Sequence, residues 1–207
     1  SDFNIDQSAF VFCSFNNSYK ITNQEFKIWM RILKKVNNSF LILLSNSQKM
    51  KDNILDQAQK NDVNPKYIKF VDYLNYEDHM ARHMLCDLFL DSFNYNAHTS
   101  AIDSIWAGLP ILTKVGKSFS SRICGSILNS LGLNELITFS EKEYENKAIQ
   151  FGNNKNTIKN IKNKIIQSKE NNSLYDIKKY TLKLEQAYEK AHQIRLESKN
   201  PSSFKVI

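Results

Sequence analysis

Nowhere in these 207 residues do apolar side chains run for the ~18 to 20 positions that a membrane-spanning helix needs. No basic segment followed by an apolar run opens the chain, so the sequence predicts a soluble, cytoplasmic protein. The motifs GxGxxG, GxxxxGK followed by Ser or Thr, CxxC and HExxH are all missing. Their absence removes the usual support for dinucleotide, P-loop and zinc sites, and neither a metal nor a cofactor is expected. Cysteine is scarce: Cys13, Cys86 and Cys124 are odd in number, far apart and set among apolar neighbours. That pattern predicts buried free thiols rather than a disulfide framework.

Charge of one sign is also scarce over most of the length. The chain carries a net charge of +7, yet residues 1–140 hold 14 basic and 13 acidic side chains, and residues 141–207 hold 14 and 8. Lys155, Lys159, Lys162 and Lys164 are diluted by Asn and Gln, and no aromatics are interleaved as a base-stacking surface requires. A solvated helix face accounts for them better than a nucleic-acid partner.

What is present is a globule. An apolar fraction of 42% suffices for one large domain, or one domain and a small appendage. Residues 9–15 and 40–44 read as strands, and Tyr67 to Val71 as a third. Between them, Thr22 with Glu25 forms a capping box for a helix whose buried stripe is Phe26, Trp29, Met30 and Leu33, and residues 49–61 form another helix. A helix over 77–85, a strand over Leu88, Phe89 and Leu90, a helix near Ile102 to Gly108 and a strand from Leu109 follow. Residues 118–131 read as a helix closed by Gly132, and Ser140 with Glu143 caps the next. The remainder to about Ser198 is helical, with a break near 171–173. Alternating strands and helices predict an α/β fold, a Rossmann-like doubly wound parallel sheet over residues 1–140, with a helical C-terminal extension over 141–207 packing on it.

Three loops then fall at one edge of the sheet. The first, after strand one, holds Asn16, Asn17, Ser18, Tyr19 and Lys20. A lysine there reaches a diphosphate as a point charge, or is an ordinary exposed loop lysine. The second, after Val71, passes through Leu74 into a helix on which His79 and Arg82, three apart, share a face suited to a planar base. The third offers His98, Thr99 and Ser100 at a helix N-terminus, where N–H groups and the helix dipole favour an anion. Asp103 lies one turn on, placed to accept from ribose hydroxyls. Thr99 or Ser100 could equally serve only as a helix cap, and Asp103 only as a dipole complement.

The run Phe12 to Ile21, the segment Ile28 to Leu33, and Glu77, Asp78, His79, Leu90 and Asp91 carry a resemblance. So do His98, Thr99, Ser100, Ile102, Asp103, Trp106, Ala107, Gly108 and Pro110, then Ser121 and Arg122, and Tyr180, Thr181, Leu184 and Glu185. Together they resemble the protein O-linked N-acetylglucosamine transferase family over nearly the whole chain. The resemblance implies the C-terminal domain of a GT-B glycosyltransferase, the half that holds most of the UDP-sugar. The N-terminal catalytic domain and tetratricopeptide repeats of the same polypeptide would be partners, along with an acceptor protein. It implies an inverting, metal-free transfer of N-acetylglucosamine or a related hexose to Ser or Thr, with little activity in the chain alone.

By position, the resemblance assigns Lys20 the diphosphate and the catalytic role. It gives Asn17 and Leu74 donor contacts, His79 and Arg82 the uracil, His98, Thr99 and Ser100 the phosphates, and Asp103 the ribose. Departures from the family pattern are Asn17 for Gln, Tyr76 for Lys, Ala97 for Gly and Ser100 for Thr. Phe93 and Tyr95 also differ, so the sugar need not be N-acetylglucosamine. A catalytically silent nucleotide-binding or scaffold module, and an N-glucosyltransferase of related fold, remain as alternatives.

Overall fold

The computed structural model describes residues 5–170, 174–197 and 200–206. Six parallel strands form its centre: β1 (Phe10–Ser14), β2 (Ser39–Leu44), β3 (Ile68–Val71), β4 (Leu88–Leu90), β5 (Ile111–Lys114) and β6 (Ile137–Thr138). Their order in space is β3-β2-β1-β4-β5-β6. The helices are α1 (Asn23–Lys35), α2 (Gln48–Lys60), α3 (Tyr76–His83), α4 (Thr99–Trp106), α5 (Ile123–Ser130), α6 (Glu141–Asn153), α7 (Lys155–Glu170) and α8 (Ile177–Leu196). This is the expected doubly wound α/β sheet. Strands buried on both faces need continuous apolar runs, which is why they were visible in the sequence.

A hydrophobic core joins the sheet to α1, α6 and α7. Trp29, Tyr144, Phe10, Phe12 and Phe89 are its largest fully buried side chains. The core does not stop at residue 140, because Tyr144, Ala148 and Phe151 of α6 and Ile158, Ile161 and Ile165 of α7 belong to it. By contrast, α8 contributes no buried residue. The three cysteines are buried free thiols, and no helix among the described residues is long and apolar enough to cross a membrane.

Several local expectations need adjustment. Helix α5 starts at Ile123 rather than Ser118. The Ser118 N–H donates to Ser121 Oγ at 3.1 Å and Ser121 Oγ donates to Ser118 O at 3.0 Å, a local turn that competes with helix. Gly132 closes α5 at φ +70°, a left-handed conformation that suits glycine. The tail breaks at Asn154, whose side chain accepts from Thr157 N–H at 3.2 Å. The break expected near 171–173, and Ser198, lie outside the described residues.

Lys155, Lys159 and Lys164 are exposed, as a solvated face requires, and Lys162 is partly buried; three of the four also reach partners. Lys155 Nζ donates to the carbonyls of Ser8 and Ala9, Lys162 to Cys86 O at 2.9 Å and to Asp87, and Lys164 to Glu135.

Candidate functional site

In a doubly wound sheet, a crevice opens at the carboxyl ends of the strands where the strand order reverses. Here the reversal lies between β1 and β4. A cleft of about 440 Å³ stands there, lined by Asn17, Tyr19 and Lys20 after β1, Tyr73, Leu74, Tyr76 and His79 after β3, and Tyr95, Thr99 and Ser100 after β4. Loops far apart in sequence meet because every strand points the same way.

Asp91 organises the junction. It sits at the end of β4, wholly buried, and accepts from Ala97 N–H at 2.7 Å, Ser92 N–H at 2.9 Å, Asn16 Nδ2 at 3.1 Å and Thr113 Oγ1 at 2.7 Å. Burial pushes its carboxyl up to about 6, against the pull of those four donors. Tyr144 on α6 donates to Asp91 O at 3.1 Å, and buried Glu25 accepts from Phe93 N–H at 2.7 Å. Glu25 is also the partner of Thr22 in the expected capping box. One side chain therefore starts α1 and anchors the loop after β4.

Lys20 ends a short 3-10 turn, Ser18–Lys20. Its Nζ lies 3.4 Å from Asn96 O, 3.5 Å from Asn16 Oδ1 and 4.2 Å from the centroid of the Tyr95 ring. Half-burial lowers its pKa, and the charge of Asp91 acts the other way. Opposite it, α4 begins with His98 as N-cap and no capping side chain. The Ala101 and Ile102 N–H groups are spent on His98 O, which leaves those of Thr99 and Ser100 without a partner among the described residues. Neither Thr99 nor Ser100 caps the helix. Lys20 and the two residues with open N–H groups, Thr99 and Ser100, line one cleft, and a cation beside a helix N-terminus suits an anion.

The cleft thus gathers Asn17, Lys20, Leu74, His79, Thr99 and Ser100 of the expected residues. Asn17 Oδ1 accepts from Tyr73 OH at 2.8 Å. His79 is half-buried, and burial, then the Arg82 charge, lowers its pKa, while the Asp103 charge acts the other way. Three others do not line the cleft. Arg82, which was expected to share the base-facing side with His79, is buried behind the wall. Its Nη1 donates to Asp72 O at 2.9 Å and its guanidinium carbon lies 5.6 Å from the Phe15 ring centre. His98 turns to Ser120 O, 3.2 Å from Nε2, and stacks on Tyr95. Asp103 accepts from Tyr76 OH at 3.3 Å, and its charge is the first cause of a raised Tyr76 pKa.

Sequence reasoning missed the network of Asn16, Asp91 and Asn96, and the three tyrosines Tyr73, Tyr76 and Tyr95 that cover the expected polar groups. The available signal for Asp91 was a carboxylate directly after a fully apolar strand.

The chain matches glycosyl transferase family 41 over residues 1–184. It is 31% identical to a Caenorhabditis elegans UDP-N-acetylglucosamine–peptide N-acetylglucosaminyltransferase, over 87% of this chain and 16% of that protein. A probable enzyme of the same description from Arabidopsis thaliana is also 31% identical, over 100% of this chain and 21% of its own length. Among solved structures, an O-GlcNAc transferase of Thermobaculum terrenum superposes with a TM-score of 0.82 at 23% identity, over 87% of this chain and 35% of that one. The last likeness establishes the fold. The chain spans about a fifth of the curated relatives it matches.

Proposed function

The chain belongs to glycosyl transferase family 41, and we propose that it is the UDP-sugar-binding half of an inverting protein O-glycosyltransferase. The observation that carries this is the meeting of Lys20 with the open first turn of α4 at the reversal of strand order. In the reaction, a Ser or Thr hydroxyl oxygen of the acceptor protein attacks the anomeric carbon while the bond from that carbon to the diphosphate oxygen breaks. The electron pair leaves with UDP. Lys20 and the N–H groups of Thr99 and Ser100 stabilise the charge growing on the diphosphate, with the Thr99 and Ser100 hydroxyls as further donors. A lysine cation and the dipoles of a helix N-terminus meet that need, so the reaction calls for no metal.

His79 on the cleft wall meets the uracil, with Leu74 beside it and Arg82 backing it from behind Phe15. Asp103 accepts from the ribose once the Tyr76 hydroxyl releases it, and Asn17 faces the donor from the loop after β1. The sugar is N-acetylglucosamine or a related hexose. The acceptor hydroxyl's proton and the acceptor's position are the work of a second catalytic domain and repeats in the same polypeptide. This chain alone therefore binds UDP weakly and transfers little or no sugar.

Calorimetric titration of the chain with UDP, and with ADP and GDP for contrast, tests the assignment. UDP binding tighter than either purine nucleotide is expected, and absence of UDP binding overturns it.

A further inference from the structure

Tyr95 is an aromatic ring left 45% exposed in a loop whose neighbours Asp91, Ser92, Phe93, Asn96 and Ala97 are all buried. Exposed does not mean free here. Its carbonyl accepts from Ser92 Oγ at 2.6 Å, and the next N–H, that of Asn96, donates to Ser120 O at 3.0 Å. The ring lies almost parallel to the His98 imidazole, with an interplanar angle of 22° and centroids 4.8 Å apart. His98 is anchored through Nε2 to Ser120 O at 3.2 Å. Backbone and ring are both held.

The Lys20 ammonium stands 4.2 Å from the centre of that ring. Its oxygen neighbours, Asn96 O at 3.4 Å and Asn16 Oδ1 at 3.5 Å, are at the long limit of hydrogen bonding. A flexible four-carbon stem is poorly fixed by two such contacts. The face of an aromatic ring at this distance attracts a cation and restrains it sideways, which the distant oxygens do not do.

We propose that Tyr95 is the positioning residue of Lys20: clamped on His98, its ring holds the ammonium beside the first turn of α4, so that an arriving anion meets the cation and the N–H groups together. That the anion is a diphosphate rests on the donor assignment above, whereas the contact between ring and ammonium stands without it. Tyr95 acts through Lys20, and the attraction needs the ring and not the hydroxyl.

Two measurements on the 207-residue chain decide the point. In proton–carbon spectra with labelled lysine, the ring current shifts the Lys20 ε-methylene protons upfield of the other lysines, with Lys20→Arg assigning the signal. The shift survives in Tyr95→Phe and vanishes in Tyr95→Leu. In UDP calorimetry, Tyr95→Phe stays within about twofold of the parent and Tyr95→Leu weakens binding about fivefold, the size of one partly exposed cation–π contact. In a Lys20→Met background, Tyr95→Leu adds no further loss. A Lys20 signal at the ordinary lysine position, or the same weakening with and without Lys20, overturns the proposal. If the parent chain does not bind UDP, the donor assignment falls, and the ring-current shift alone still decides whether Tyr95 positions Lys20.

Discussion

The two ends of the same parallel sheet are built in opposite ways. At the amino ends of the strands, polar groups are paired with one another: Val11 N–H with Asp87 at 2.9 Å, Lys162 with Asp87 and Cys86 O, Lys155 with Ser8 O and Ala9 O, and Lys34 with Asp62. The cavity at that end, near Asn38 and Asp62, measures about 220 Å³. At the carboxyl ends, the cleft is about 440 Å³, and there Lys20 has only two long oxygen contacts beside the Tyr95 ring and two helix N–H groups stand open. Tyr19, Tyr73, Tyr76 and Tyr95 stand exposed around it. A protein pairs its polar groups where it needs only stability, and an end left unpaired costs stability for the sake of a ligand.

The contrast is sharpest at its two lysines. Lys20→Ala should lower the turnover of a full-length enzyme by about 10²- to 10³-fold, the loss expected when one preorganised charge-stabilising donor is removed. Steady-state kinetics check it, and an active variant would remove Lys20 from the leaving-group role.

Acid exposes a second difference. Burial lowers the His83 imidazole to about 4, and its ring contacts Phe15 and His79. A histidine depressed on folding contributes stability that is whole above its unfolded value near 6.5 and is lost as pH falls towards 4. Asp91, raised on folding, has the reverse sign: its contribution grows as pH falls from about 6 to 4. In urea titrations, the advantage of the parent over His83→Phe should therefore shrink between pH 6.5 and 4, by on the order of 2 to 3 kcal/mol. That over Asp91→Asn should widen below pH 6. A gap that stays constant in both would show that neither group titrates in this way.

Tyr144→Phe deletes the bond to Asp91 O and the Trp29 indole's partner, 3.4 Å away. Urea midpoints at constant slope should report a loss of about 1 to 2 kcal/mol. Smallest of all, Lys162→Met at the amino end should cost about 0.5 to 1 kcal/mol, because its side chain is partly exposed, and should leave UDP affinity unchanged. A weakened affinity in that variant would break the division between the two ends.

Much of the fold was legible. The strands β1, β2 and β4 are built on the apolar runs Phe10 to Cys13, Phe40 to Leu44 and Leu88 to Leu90, and the caps Thr22 with Glu25 and Ser140 with Glu143 mark helix starts that the structure keeps. Local chemistry was also where expectation slipped: serine hydroxyls delayed α5, Asn154 split the tail, and the two-residue β6 was too short to leave a pattern. The candidate site was half legible. Lys20, Thr99, Ser100 and His79 came together because loop positions after parallel strands share an edge. Arg82 and His98 stand outside the cleft lining with partners of their own, because spacing along a helix or loop assigns a side chain to a face without saying which neighbour claims its polar atoms.

Sequence alone determined the alternation of strands and helices, the three buried thiols and the loops that could meet an anion, because periodicity, caps and apolar runs are local properties. Only the tertiary structure decided that β1 lies beside β4, that Asp91 binds Asn16 across 75 residues of chain, and that Tyr95 covers Lys20. Those pairings depend on which strands become neighbours, and strand order is set by the packing of helices on both faces of the sheet rather than by any segment of the chain.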